Sequence, residues 1–174
     1  MTITARPLWT TRVSRPDEPD AVLLLREYMT EMVVRYHCRP ALPGEVDEAL
    51  AEMPSDDLTY PSGVLLLAHH GTDLAGCAGL RWHSGWAELK RVFVRPAHRG
   101  AGGGAALLTA VEQQAGAAGA AAIRLDTRAD LVEARALYAR HGYVEIPAYS
   151  RGPYAEHWFE KRLGGAVDGR QGMR

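Results

Sequence analysis

The sequence LKRVFVRPAHRGAGGGAALL, residues 89–108, is the most informative part of the chain, because it joins an apolar strand to a helix through a run of glycines. Glycines leave the first main-chain N–H groups of a helix open to a ligand, and the helix dipole favours an anion there. Three consecutive glycines also cost a helix about 1 kcal/mol each relative to alanine, which a bound diphosphate would offset. The stretch therefore predicts a phosphate site at residues 99–104, although a tight turn with close helix packing explains the glycines equally well.

The residues around the glycines distinguish among phosphate-binding folds. No Gly-Lys-Ser/Thr follows the turn, which argues against a P-loop for nucleoside triphosphates. The turn follows the third strand of a meander, whereas a dinucleotide fold places it after a first strand, with an acidic residue about 20 positions further on. Coenzyme A is the phosphate-bearing cofactor that remains.

Apolar patterns on the N-terminal side of this stretch predict a meander of strands. Short apolar runs at 64–68, 74–80 and 86–94 predict three successive antiparallel strands, and residues 8–13 predict an earlier one. Apolar residues at a four-residue step predict a first helix capped by Asp20, and a short second helix is expected over residues 45–53.

On the C-terminal side, the pattern predicts a strand–helix–strand crossover. The helix is expected over residues 102–119 and the strand over 123–127. A capping box of Asp130 and Glu133 predicts the start of a further helix, which ends near Arg140. Two last strands are expected over 143–146 and 157–161.

Together these elements predict an α/β (α+β) fold. We expect one domain over residues 1–163, with a mixed, mostly antiparallel sheet of about six to seven strands flanked by about four helices. Residues 164–174 have almost no apolar side chains and are expected to form a flexible C-terminal tail.

The composition excludes several functions. The 20 basic side chains of Lys and Arg balance 21 acidic ones, so no strong field attracts nucleic acid or a membrane. The N-terminus shows no apolar signal core and the two cysteines belong to no motif, which predicts a cytoplasmic protein. The histidines lack zinc-site spacing, so no metal is expected.

The glycine-rich stretch resembles the cofactor-binding motif of the GNAT acetyltransferases, whose core is Gln/Arg-x-x-Gly-x-Gly/Ala, and Arg99, Gly102 and Gly104 match it. Residues 134–143, ARALYARHGY, are similar to the second signature of the family, Ala-x-x-Leu-Tyr-x-x-x-Gly-Phe/Tyr. The resemblance is close over 86–143 and extends in outline over 64–163. Two positions depart from it: Gly103 replaces an apolar residue, which predicts a looser turn, and Leu131 replaces an Asn that often contacts the pantetheine arm.

The resemblance implies an acetyl-CoA-dependent N-acetyltransferase with a splayed pair of central strands that receives the pantetheine arm. The apolar alternation in the third strand of the meander slips from Ala87 and Leu89 to Val92 and Val94, which favours a bulge near Arg91, although a strand buried on both faces gives the same pattern. The cofactor-binding residues that the resemblance implies are Val92, Phe93, Val94, Arg99, Gly100, Ala101, Gly102, Gly103, Gly104, Ala105, Leu131 and Tyr138.

Two catalytic residues are implied. Glu88 occupies the position of a carboxylate that deprotonates the substrate amine, and its alternative is an exposed strand glutamate paired with Lys90 or Arg91. Tyr138 matches a tyrosine that protonates the departing thiolate, and its alternative is a helix residue packed on the sheet. The implied substrate pocket consists of Tyr28, Glu31, Tyr149, Tyr154 and His157.

The acceptor is expected to be a small-molecule amine, with a peptide or protein amine as the alternative. A noncatalytic acyl-CoA-binding module and a nucleotide-binding interaction domain are the rival functions, and a homodimer is possible. The acidic residues between 45 and 57 form either a lip that attracts amines or a solvated face.

Overall fold

A computed structural model describes residues 8–164, which form one sheet with helices on both faces. The seven strands are β1 (Trp9–Ser14), β2 (Gly63–His70), β3 (Asp73–Trp82), β4 (Trp86–Val94), β5 (Ala122–Thr127), β6 (Val144–Ile146) and β7 (His157–Arg162). Their order in the sheet is β1-β2-β3-β4-β5-β7-β6. Only β4 and β5 pair in parallel, so the predicted mixed, mostly antiparallel sheet is confirmed.

The helices are α1 (Pro19–His37), α2 (Glu45–Glu52), α3 (Gly103–Ala117) and α4 (Val132–Arg140), with one turn of 3-10 helix at Pro96–His98. One face of the sheet packs on α1, where Leu24, Leu65 and Phe93 belong to one apolar cluster. The other face packs on α3 and α4, where Leu107 and Tyr138 belong to a second cluster. Burial of apolar side chains on both faces stabilises this layered arrangement.

Two helix starts differ from the prediction. Helix α1 begins at Pro19, so Asp20 lies in the first turn and is not the cap, because proline favours the first helical position. The capping box before α4 is wrong as well: Leu131 precedes the helix without a side-chain cap. The carboxylate of Asp130 instead accepts hydrogen bonds from the Arg128 guanidinium at 2.8 and 2.7 Å.

The predicted bulge in β4 is confirmed. Arg91 has a φ of 58°, and the pairing with β3 slips so that residues 91 and 92 lie opposite one residue. The slip brings Val92 and Val94 to the same face of the sheet as Ala87 and Leu89. An extra residue shifts the side-chain alternation by one, which is why the apolar pattern changed phase.

The predicted splay between β4 and β5 is also confirmed. The two strands pair only from Trp86↔Ala122 to Glu88↔Arg124, although β4 continues to Val94 and β5 to Thr127. A cleft therefore opens in the middle of the sheet beyond Glu88.

No helix in the described part of the chain is long and apolar enough to cross a membrane. The predicted tail beyond residue 164 lies outside the described residues, and the predicted extent of the domain, 1–163, stays a prediction.

Candidate active site

A cavity of about 950 Å³ occupies the cleft between β4 and β5. Its walls come from β4, β5, α1, α2, α4 and the segment 150–155. The residues predicted for the site that line it are Tyr28, Glu31, Glu88, Val92, Phe93, Val94, Arg99, Leu131, Tyr138 and Tyr154. The fold thus brings residues from distant parts of the sequence to one space.

The glycine turn lies next to the Arg99 end of this cavity. Gly100 and Gly102 have φ values of 75° and 88°, a left-handed conformation that glycine adopts without strain. No side chain caps α3. Within residues 8–164, none of the N–H groups of residues 100–105 donates a hydrogen bond to a protein acceptor. These groups are free to bind an anion.

Two of the glycines also have a packing role, which the sequence left as an alternative. A Cβ on Gly103 would lie 2.5 Å from the indole of Trp9, and one on Gly104 would lie 2.7 Å from Leu137 Cδ2. The Trp9 indole nitrogen donates to the carbonyl of Ala101 at 2.8 Å. Trp9 therefore fills the space that an apolar residue at position 103 would take. Nothing in the sequence pointed to Trp9, which is distant along the chain.

Arg99 links the turn to α1. Its Nε donates to the carbonyl of Val94 at 2.8 Å, and its Nη2 lies 2.5 Å from Glu31 Oε2. The guanidinium carbon lies 5.8 Å from the centre of the Phe93 ring. These contacts hold the positively charged guanidinium of Arg99 beside the free N–H groups of residues 100–105.

The bulge is held from two sides. The Arg91 guanidinium donates to Ser55 Oγ at 3.1 Å and to the Met53 carbonyl at 2.9 Å, and so ties β4 to the chain that follows α2. Behind it, Cys77 Sγ lies 3.3 Å from the Arg91 carbonyl and donates to it. Burial raises the pKa of the Cys77 thiol to about 12, so the thiol stays protonated. A buried, protonated thiol is a poor nucleophile.

Glu88 lies at the start of the cleft and is only 7% exposed. Its carboxylate lies 3.5 Å from Arg81 Nη1 and 3.2 Å from His83 Nε2, and it also contacts the Lys90 ammonium. The pairing with Lys90 was one alternative, but the glutamate is buried in the cavity wall and not exposed on the strand. A buried carboxylate surrounded by donors is held in one orientation.

Tyr138 lies on α4 and is 6% exposed. One side of its ring packs in the core against Tyr143 and Phe159, at centroid distances of 5.8 and 6.1 Å. Among the described residues no partner hydrogen-bonds to its hydroxyl group. Burial, with smaller contributions from Tyr28 and Asp126, raises the pKa of the phenol, which therefore stays protonated and able to donate.

Two predicted pocket residues do not line the cavity. The ring of Tyr149 packs edge-on against Trp86 at 5.3 Å. His157 Nδ1 lies 2.6 Å from Glu145 Oε1, on the β6–β7 side of the sheet. Tyr149 and His157 therefore contact other residues than those of the cavity wall.

Three of the six acidic residues between 45 and 57 form ion pairs. Asp47 pairs with Arg26, and Asp57 pairs with Arg81. Hydrogen bonds from the Arg39 guanidinium, at 2.9 and 2.6 Å, and from the Leu42 N–H lower the pKa of Glu45 to about 2. Glu48 and Glu52 line the cavity. The pairing favours a solvated face for Glu45, Asp47 and Asp57.

Within residues 8–164, no group of three or more His, Cys, Asp or Glu side chains is arranged to hold a metal ion.

The chain is similar in sequence to known acetyltransferases. Residues 26–143 match the acetyltransferase (GNAT) family. An IAA acetyltransferase of Azospirillum brasilense is 32% identical over 102 residues, which span 58% of this chain and 63% of that protein. An uncharacterised N-acetyltransferase of Schizosaccharomyces pombe is 31% identical over 141 residues, 79% of this chain and 82% of that protein.

Among solved structures, the PaiA N-acetyltransferase of Thermoplasma acidophilum in complex with coenzyme A has a TM-score of 0.71 at 16% identity. The alignment covers 90% of this chain and 99% of that chain, and at this identity it shows a common fold. The predicted family, fold class and cofactor are confirmed: this chain belongs to the GNAT family of acetyltransferases, acyltransferases that use acetyl-CoA.

Proposed function

We propose that this protein transfers the acetyl group of acetyl-CoA directly to a primary amine of a small molecule. The observation that supports the proposal best is that Glu88, Tyr138 and the bulged part of β4 line one cavity, with Arg99 and the free N–H groups of residues 100–105 at its end. An anion site, a carboxylate and a protonated phenol are the groups that this reaction requires.

The cofactor's pyrophosphate would bind the N–H groups of residues 100–105, beside the guanidinium of Arg99. Beyond Glu88, β5 no longer pairs with β4, so this edge of β4 is open. The pantetheine arm would lie along it beside the main chain of Val92 and Val94, in the way that an added strand pairs with the edge of a sheet. Leu131 offers this arm an apolar side chain in place of an amide, and Phe93 lies in the same wall.

The chemistry follows from the groups along the cleft. Glu88 accepts a proton from the attacking amine, and the main-chain N–H of Val92 stabilises the negative charge that develops on the acetyl oxygen. Tyr138 donates its proton to the departing thiolate. Transfer is direct, because the thiol of Cys77 is buried, protonated and hydrogen-bonded to the Arg91 carbonyl, and Cys38 does not line the cavity.

The acceptor would enter between α1, α2 and the segment 150–155, where Tyr28, Glu31 and Tyr154 line the wall. The cavity of about 950 Å³ has room for a small amine, and a peptide amine is the alternative that an acceptor screen distinguishes.

The test is a thiol-release screen of the whole chain with acetyl-CoA and a panel of small amines and peptides, together with a calorimetric titration of acetyl-CoA. We expect cofactor binding and amine-dependent thiol release. Binding without release across the panel would favour a noncatalytic acyl-CoA-binding module, and tighter binding of ATP than of coenzyme A would contradict the proposal altogether.

A further inference from the structure

We propose that Lys90 is itself an acetyl acceptor, so that the protein acetylates the Nζ of its own Lys90 when acetyl-CoA is present without an external amine. This inference rests on the function proposed above, because it uses the same cofactor and the same catalytic groups.

The position of the Lys90 ammonium supports this inference. Lys90 lies on β4, two residues beyond Glu88, the last residue of β4 that pairs with β5. Its Nζ contacts Glu88 and lies 3.6 Å from Asp126 Oδ2 on β5. The amine therefore spans the cleft at its first open position, inside the cavity where the acetyl group would arrive.

The type of side chain is the second observation. The chain has only two lysines, Lys90 and Lys161, and 18 arginines. The other basic residues lining the cavity are His37 and the arginines Arg35, Arg81, Arg91, Arg99 and Arg128. An arginine would pair with two carboxylates at least as well, but it does not lose its proton in proteins, whereas a lysine amine does and then becomes a nucleophile. The one lysine of the cavity is thus the basic side chain there that can be acetylated.

The neighbours of Lys90 complete the reaction. Glu88 accepts a proton from the Lys90 ammonium, and the neutral amine attacks the acetyl carbonyl of acetyl-CoA. A bond forms between Nζ and the carbonyl carbon, the bond between that carbon and sulfur breaks, and the amide nitrogen releases its second proton to solvent. The thiolate takes a proton from Tyr138, which recovers one from solvent, and Glu88 passes the proton that it accepted to solvent, so the products are acetyl-Lys90, free coenzyme A and one proton.

Lys161 provides an internal reference for spontaneous acetylation. Its side chain is 28% exposed, against 20% for Lys90, and its Nζ lies 2.9 Å from both carboxylate oxygens of Glu112. It does not line the cavity. Both lysines are therefore paired and partly buried, and they differ in their access to the proposed catalytic groups.

The experiment incubates the full chain with acetyl-CoA and no amine, and measures acetylation of each lysine by peptide mass spectrometry. We expect Lys90 to react about a hundredfold faster than Lys161, a typical contribution of a positioned base, at a rate that does not depend on protein concentration. An unmodified Lys90, or equal rates at the two lysines, overturns the inference.

Variants sharpen the test. Glu88→Gln should slow acetylation of Lys90 and leave Lys161 unchanged, whereas Glu160→Gln, which alters a strand glutamate paired with Arg124 outside the cavity, should change neither. Lys90→Arg should abolish acetylation at position 90, and a thermal unfolding transition should show that this variant is folded. If acetyl-CoA binds and external amines are acetylated while Lys90 stays unmodified, only this inference fails; if acetyl-CoA does not bind, the proposed function fails with it.

Discussion

Replacing Tyr138 with phenylalanine removes one oxygen from the cavity wall and leaves the ring in place. The packing against Tyr143 and Phe159 is kept, and within the described residues the hydroxyl has no hydrogen-bond partner to lose. The free energy of unfolding should therefore change by no more than about 1 kcal/mol. Replacement with alanine would instead leave a cavity and cost about 3–5 kcal/mol, so phenylalanine is the informative change.

The expected effect is on the chemical step. Loss of a general acid lowers kcat by about a hundredfold, which corresponds to about 2.7 kcal/mol in the activation free energy. The Kd of acetyl-CoA should be nearly unchanged, because the hydroxyl acts on the thiolate that forms in the reaction. Burial raises the pKa of this phenol above about 10, the usual pKa of tyrosine. In the unmodified protein, ionisation of Tyr138 should therefore not reduce the rate at any pH below about 10.

The assay is thiol release at saturating acetyl-CoA with an acceptor from the amine screen, and cofactor affinity is measured by calorimetry. Tyr143→Phe is the matched control, because Tyr143 is a buried neighbour that does not line the cavity. An unchanged kcat in Tyr138→Phe, or an equal loss in Tyr143→Phe, would refute the role of Tyr138 as the acid.

Three further changes test the rest of the site and the fold. Glu88→Gln should lower kcat about a hundredfold with little change in the Kd of acetyl-CoA, and Glu160→Gln should not, as steady-state kinetics will show. In denaturant unfolding, Gly103→Ala should destabilise the protein by about 1–3 kcal/mol because its Cβ meets Trp9, whereas Gly116→Ala, with open space around it in α3, should stabilise it by about 0.4–1 kcal/mol. Hydrogen bonds from Arg39, the largest cause, and from the Leu42 N–H lower the pKa of Glu45 from 4.5 to about 2, so these contacts stabilise the folded state above about pH 4.5 and the stabilisation disappears as the pH falls through 2. Arg39→Gln should therefore flatten the acid side of the stability profile; an unchanged slope would contradict this pairing.

Much of the fold was predictable because its signals are local. The strands of the meander follow from apolar alternation. The shift of this alternation by one residue after Leu89 correctly predicted the bulge at Arg91. The helix starts were less predictable. Asp130 was expected to cap α4, but the Arg128 guanidinium competes for the same carboxylate, and a spacing rule does not include that competition.

The sequence predicted the site residues close to the two motifs, and three pocket residues outside them, Tyr28, Glu31 and Tyr154, also line the cavity. Glu88 and Tyr138 do line one cavity. By contrast, Trp9 reaches the glycine turn from β1, and Arg99 pairs with Glu31 of α1. These contacts depend on which elements become neighbours, and neither partner has a sequence signature of its own.

Local residue patterns were enough to predict the class of sheet, the glycine turn at the start of α3 and the family, because strand alternation, helix spacing and backbone freedom are properties of residues close along the chain. The burial of Glu88 among three basic side chains, and the reach of Lys90 to Asp126 across the cleft, follow from the folded sheet alone. Burial and charge pairing are set by distances between strands that are far apart in sequence, and these distances exist only once the sheet has formed.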